Sequence, residues 1–144
     1  MAKISNFLYC LNVERTMFAP GKGESINAVG VLAVLNPEYV PGSFSFSIVF
    51  SIWDLDEASE NSIKIIFKDN NNEEIVNTGD ITLPKKPADL NSKLPSQYIG
   101  YNLSMDFRNV VFKNEGEYTT YVYFNDMVLG KYPIFVRGVR SNES

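Results

Sequence analysis

The chain has 144 residues, 44% of them hydrophobic and 21% charged, with a net charge of −4 and no histidine. This is the composition of a folded domain able to bury roughly two thirds of its unfolded surface, and its acidic balance argues against a nucleic-acid or membrane-binding surface, which needs clustered Lys and Arg. Without histidine there is no Ser-His-Asp or Cys-His pair, no imidazole general base and no ordinary catalytic zinc site.

The first predicted strand is 4–12. Asn6 and Asn12 interrupt its apolar run, so it reads as a strand and not as a signal peptide, and no segment reaches the roughly 20 apolar residues of a membrane span. It carries Cys10, the single cysteine. Cys10 has no partner for an internal disulfide, so the expectation is a small buried apolar residue in a cytoplasmic protein. Gly21-Lys22-Gly23 follows in a loop that lacks the spacing of a phosphate-binding turn. A second strand is predicted over 28–35, and Pro41-Gly42 marks the next turn.

Period-2 alternation is clearest over 43–53. Phe44, Phe46, Ile48, Phe50 and Ile52 share one face; Ser43, Ser45, Ser47, Val49, Ser51 and Trp53 share the other. An exposed edge with that uncharged serine face would invite strand addition. Either the strand is central, with the serines under another layer, or a partner covers it.

Further strands are predicted over 62–68, 74–79, 100–107, 117–124 and 128–136, which makes about eight in all. Turn residues at 69–72 and 125–126 separate them. The segment 83–98, with Pro84, Pro87 and Pro95, reads as an ordered surface crossover between sheets, and residues 140–144 as a frayed tail. Many short, regularly punctuated strands predict an all-β fold in one domain spanning 1–144.

Two resemblances rest on particular residues. Asn114, Gly116 and Tyr118, each two apart, resemble the opening of the penultimate strand of immunoglobulin-like domains, where the tyrosine bonds back to the backbone at a corner. Thr120 stands where such domains carry a disulfide cysteine, and Trp53 is the candidate for their core tryptophan. The resemblance implies an immunoglobulin-like Greek-key β-sandwich of about eight antiparallel strands, held by packing in place of the disulfide. The whole chain also resembles a family of small bacterial proteins of unknown function, through Phe7-Leu8-Tyr9-Cys10, Val29-Gly30-Val31, Gly116-Glu117-Tyr118 and Leu129-Gly130. That likeness implies a bacterial or phage origin and supplies no catalytic residue.

Asp54 and Asp56 would share a face on a strand, an arrangement similar to the carboxylates of sandwich-fold glycosidases, but those line their clefts with several tryptophans and this chain has one. A solvated loop is the expectation there. Asp69 and Asn71 alternate oxygen ligands as calcium loops do, with Asp54 and Asp56 as partners if the two loops share an end of the sandwich. The expected function is a non-enzymatic binding or accessory module without a cofactor, engaging an unidentified protein partner or a second copy through Tyr121, Tyr123 and Trp53. The alternative is a calcium-dependent ligand- or carbohydrate-binding module.

Overall fold

The computed structural model describes residues 2–17, 24–55, 60–83 and 100–140, and all the regular structure among them is strand. Ten strands occur there: β1 (Lys3–Met17), β2 (Glu24–Leu32), β3 (Val34–Leu35), β4 (Gly42–Trp53), β5 (Ser62–Lys68), β6 (Glu74–Asn77), β7 (Ile81–Thr82), β8 (Gly100–Phe112), β9 (Gly116–Phe124) and β10 (Met127–Val136). The predicted crossover lies outside the described residues from 84 to 98, as do Gly21-Lys22-Gly23, Asp56 and residues 141–144 of the predicted tail.

The strands form two sheets. One is four-stranded in the order β2-β1-β4-β8; the other is six-stranded in the order β3-β10-β9-β5-β6, with β7 also pairing β5. The chain changes sheet at β2 to β3, β3 to β4, β4 to β5, β7 to β8 and β8 to β9, while β1–β2, β5–β6 and β9–β10 pair as neighbours in sequence. Ten strands replace the predicted eight because 28–35 divides and because the short β7 pairs with β5 where no strand is predicted. Beyond Leu32 the chain leaves β1, and Val34 and Leu35 pair in parallel with Phe135 and Val136 of β10. Not every strand pair is therefore antiparallel.

The alternation predicted over 43–53 is realised in β4. Phe46, Ile48, Phe50 and Ile52 are buried between the sheets against Ile63, Ile65 and Phe67 of β5 and Tyr118 and Val122 of β9. β4 is central, flanked by β1 and β8, so its serines are not an open edge. β8 answers them with polar side chains across the register. Ser47 donates to Asp106 Oδ1 at 2.5 Å, Ser51 donates to Asn102 Oδ1 at 2.7 Å, and Ser45 Oγ accepts the Asn109 backbone N–H at 2.8 Å. These pairs allow Ser47 to be fully buried without an unmet hydrogen bond. Cys10 lies beside Ser47 in the register and is fully buried, as a small apolar residue would be.

A polar contact joins the two sheets at Thr120. Thr120, buried on β9, shares a hydrogen bond of 2.6 Å with the Tyr9 hydroxyl of β1 in the opposite sheet. The same hydroxyl lies 2.7 Å from the Tyr132 carbonyl oxygen, to which it donates. Packing is thus supplemented by a polar tie across the core. Trp53 does not serve as a core tryptophan. It is half-buried at the end of β4, on the side opposite Ile52, with Lys3 Nζ 4.8 Å from its ring centroid. Alternation carries Ile52 inward, and so Trp53 must point out.

The predicted corner is present. Tyr118 donates from its hydroxyl to the Asn114 carbonyl oxygen at 2.7 Å, and its ring stacks on Phe67 at 5.5 Å. Gly116 has φ of +139°, and a Cβ there would meet the Asn70 side-chain nitrogen at 3.1 Å, so both conformation and space favour glycine. Replacing Tyr118 by Phe keeps the ring and removes the bond, with an expected loss of about 1 kcal/mol in chemical denaturation. An unchanged midpoint would show that the hydroxyl does not hold the corner.

Candidate interaction face

β9 has two chemically different faces. Tyr118, Thr120 and Val122 are buried, so Thr119, Tyr121 and Tyr123 project from the outer side of the six-stranded sheet. β5 behaves likewise: Ile63, Ile65 and Phe67 point inward, and Lys64, Ile66 and Lys68 share the outer face. Register brings the sets together, with Tyr123 opposite Lys64 and Tyr121 between Ile66 on β5 and Lys131 on β10.

The result is an array of cations over aromatic rings. Lys64 Nζ lies 4.7 Å from the Tyr123 centroid, and Lys68 and Lys131 lie 5.0 and 5.6 Å from that of Tyr121. Each contact is worth about 0.5–1 kcal/mol at an exposed site and restrains a side chain that would otherwise sample many rotamers. Ile66, on the same face, is only 5% exposed. The neighbouring tyrosine ring and lysine stems supply its apolar cover. Among the described residues the ion pairs are Arg108–Asp106 and Arg140–Glu38, and neither includes these three lysines. The face also carries Glu74, opposite Lys68 in the register, and Glu117, on the exposed side of β9, so three lysines stand against two carboxylates and leave an excess of one positive charge on an acidic chain.

Sequence reasoning had selected Tyr121 and Tyr123 but not the lysines. The alternation of β5 puts Lys64 and Lys68 on one face, but the register that sets them against the tyrosines lies almost sixty residues away in sequence. Trp53 belongs to the other sheet and does not join this face. The loop that follows it does reach the Tyr123 end: the Ser62 N–H donates to Asn125 Oδ1 at 2.8 Å, and Asn125 Nδ2 donates to Asn61 Oδ1 at 3.3 Å.

The acidic loops are not brought together. Asp54 follows β4, before the chain enters β5, whereas Asp69 follows the far end of β5, a seven-residue strand. A strand of that length spans about 20 Å. Asp69 Oδ1 already accepts the N–H groups of Asn71 at 2.8 Å and Glu73 at 2.9 Å, which closes the β5–β6 turn. Among the described residues, no three His, Cys, Asp or Glu side chains cluster as a cation site requires.

On the outer side of the other sheet, Leu8, Ile26, Ala28 and Val49, with Asn6, Ser25, Ser51 and Asn102, line a cleft of about 270 Å³. Arg15 reaches across from β1 to donate to Ser104 Oγ of β8 at 2.6 Å.

With its two packed sheets and its tyrosine corner, the molecule is an immunoglobulin-like β-sandwich. The chain belongs to DUF6941, a family of unknown function whose model matches residues 19–137. No curated protein matches it. Among solved structures it is similar to the Pseudomonas fluorescens alkylpurine DNA glycosylase AlkC bound to DNA containing an abasic site analog, at 10% identity and a TM-score of 0.53. That match covers 94% of this chain and 30% of the glycosylase, so the chain spans less than a third of that enzyme, and the likeness is one of fold. It is also similar to an immunoglobulin-like protein from Pseudomonas aeruginosa, at 12% identity and a TM-score of 0.41, covering 95% of this chain and 97% of the other. No helix among the described residues is long and apolar enough to cross a membrane.

Proposed function

We propose that the protein is a non-enzymatic binding module that engages a protein partner through the tyrosine–lysine face of its six-stranded sheet. The observation that carries this reading is the ordered array of Lys64, Lys68 and Lys131 over Tyr121 and Tyr123. Tyrosine presents a large contact area on two rotatable bonds, and lysines already restrained lose little entropy on docking. We place the module in the cytoplasm, because its sheets are tied by Tyr9 and Thr120 without a disulfide and its thiol is free.

The test compares the unaltered protein with a Tyr121→Ser/Tyr123→Ser variant whose melting temperature is matched. Both are used for quantitative capture from source-cell extract, alongside light scattering over a concentration range. Species retained by the first and lost by the second are expected. A dimer lost in the variant would make the partner a second copy and would equally support the face. Identical capture and identical mass in solution would overturn the proposal.

A further inference from the structure

We propose that the occupant of this face is an acidic polypeptide segment bound in an extended form. The inference rests on the reading above and adds the chemistry of the partner. Three ammonium groups, none in an ion pair among the described residues, share one face with the carboxylates of Glu74 and Glu117, so the face keeps an excess of one positive charge on a chain whose net charge is −4. That local reversal of sign is the complementarity an acidic surface would recognise.

The spacing suits a strand-like ligand. Lys64 and Lys68 are four residues apart on β5, about 13 Å, and Lys131 lies two strands away, about 10 Å. An extended peptide with an acidic residue at every second position presents carboxylates on one side about 7 Å apart, so alternate carboxylates match Lys64 and Lys68 along β5, with Lys131 to one side of that line.

The other polyanion to consider is nucleic acid, and two observations disfavour it. Single strands bind to flat protein faces by stacking bases on open aromatic rings. Here an ammonium group stands over Tyr123 and two stand over Tyr121, so the rings are capped. Duplex DNA carries one charge per about 1.7 Å and requires many cations in a row, which an acidic chain with three local lysines lacks. The same caps close the rings to the stacking that sugar recognition uses.

The probes are a labelled peptide alternating glutamate and serine, its glutamine counterpart and a single-stranded oligonucleotide of equal length. Binding to the unaltered protein is followed by fluorescence anisotropy at low and physiological salt. The glutamate peptide is expected to bind and the glutamine peptide not. Affinity should fall with salt, and a Lys64→Gln/Lys68→Gln/Lys131→Gln variant of matched melting temperature should bind about tenfold more weakly. Three results would each overturn the inference: no binding of the glutamate peptide, equal binding by the lysine variant, or tighter binding of the oligonucleotide. Any of them, combined with loss of captured species in the tyrosine variant, would remove the acidic partner and leave the binding face standing.

Discussion

Replacing Phe46 by Ala is expected to destabilise the protein by about 3–5 kcal/mol. Phe46 is fully buried at the centre of the sandwich, with its ring 5.4 Å from that of Phe107, 5.5 Å from Phe67, 6.1 Å from Tyr9 and 6.4 Å from Phe112. Those rings come from both sheets, so the void left by truncation cannot close by moving one strand. It forfeits the transfer free energy of the ring and then adds the cost of the cavity. Against a total stability of about 5–15 kcal/mol for a domain, the variant should sit close to its unfolding threshold. Urea denaturation measures this, with the slope unchanged and the midpoint sharply lowered. Val111→Ala, at a site 55% exposed, serves as the comparison and should stay within about 0.5 kcal/mol. A loss below about 1 kcal/mol at Phe46 would mean that the aromatic cluster is not the packing centre described.

Tyr9→Phe should cost about 1–3 kcal/mol, more than an average hydrogen bond, because it leaves Thr120 Oγ1 buried without its partner. Adding Thr120→Val removes the orphaned group as well, so the double variant should regain part of the loss. Additive losses would count against a direct cross-sheet tie. The tie also has a pH signature. Burial holds the Tyr9 phenol far above its ordinary range, outweighing the opposing effect of its bond to Thr120. Its folded pKa is raised, so the contribution is intact below the unfolded value of about 10 and is lost as pH rises beyond it. The expected slope for this group is about 1.4 kcal/mol per pH unit above pH 10, and it should vanish in Tyr9→Phe. An identical alkaline limb in both proteins would contradict the assignment.

Much of the architecture was legible because β-strands write their burial locally. The Phe46, Ile48, Phe50, Ile52 series and the Asn114, Gly116, Tyr118 spacing led to a core strand and a corner that are both present. Trp53 is the exception: the immunoglobulin resemblance offers it as the core tryptophan, whereas its parity relative to Ile52 already sets it on the serine face, which is where it lies. The first strand was read as ending at 12, whereas β1 continues to Met17 through pairing with β2 alone. Only its partner could reveal that extension.

The all-β class, the inward face of β4, the corner at Tyr118 and the lack of any histidine-based chemistry are legible along the chain. These follow from residue type and a period of two, both properties of a short stretch of chain. Strand pairing was needed to bring the serines of β4 to Asn102, Asp106 and the Asn109 N–H, to tie Tyr9 to Thr120, and to set lysines from two strands over Tyr121 and Tyr123. Tyr9 and Thr120 are 111 residues apart, and nothing local encodes which strands become neighbours or in what register. Sheet order and register are outcomes of burying every apolar face at once, and the candidate binding face is made by them.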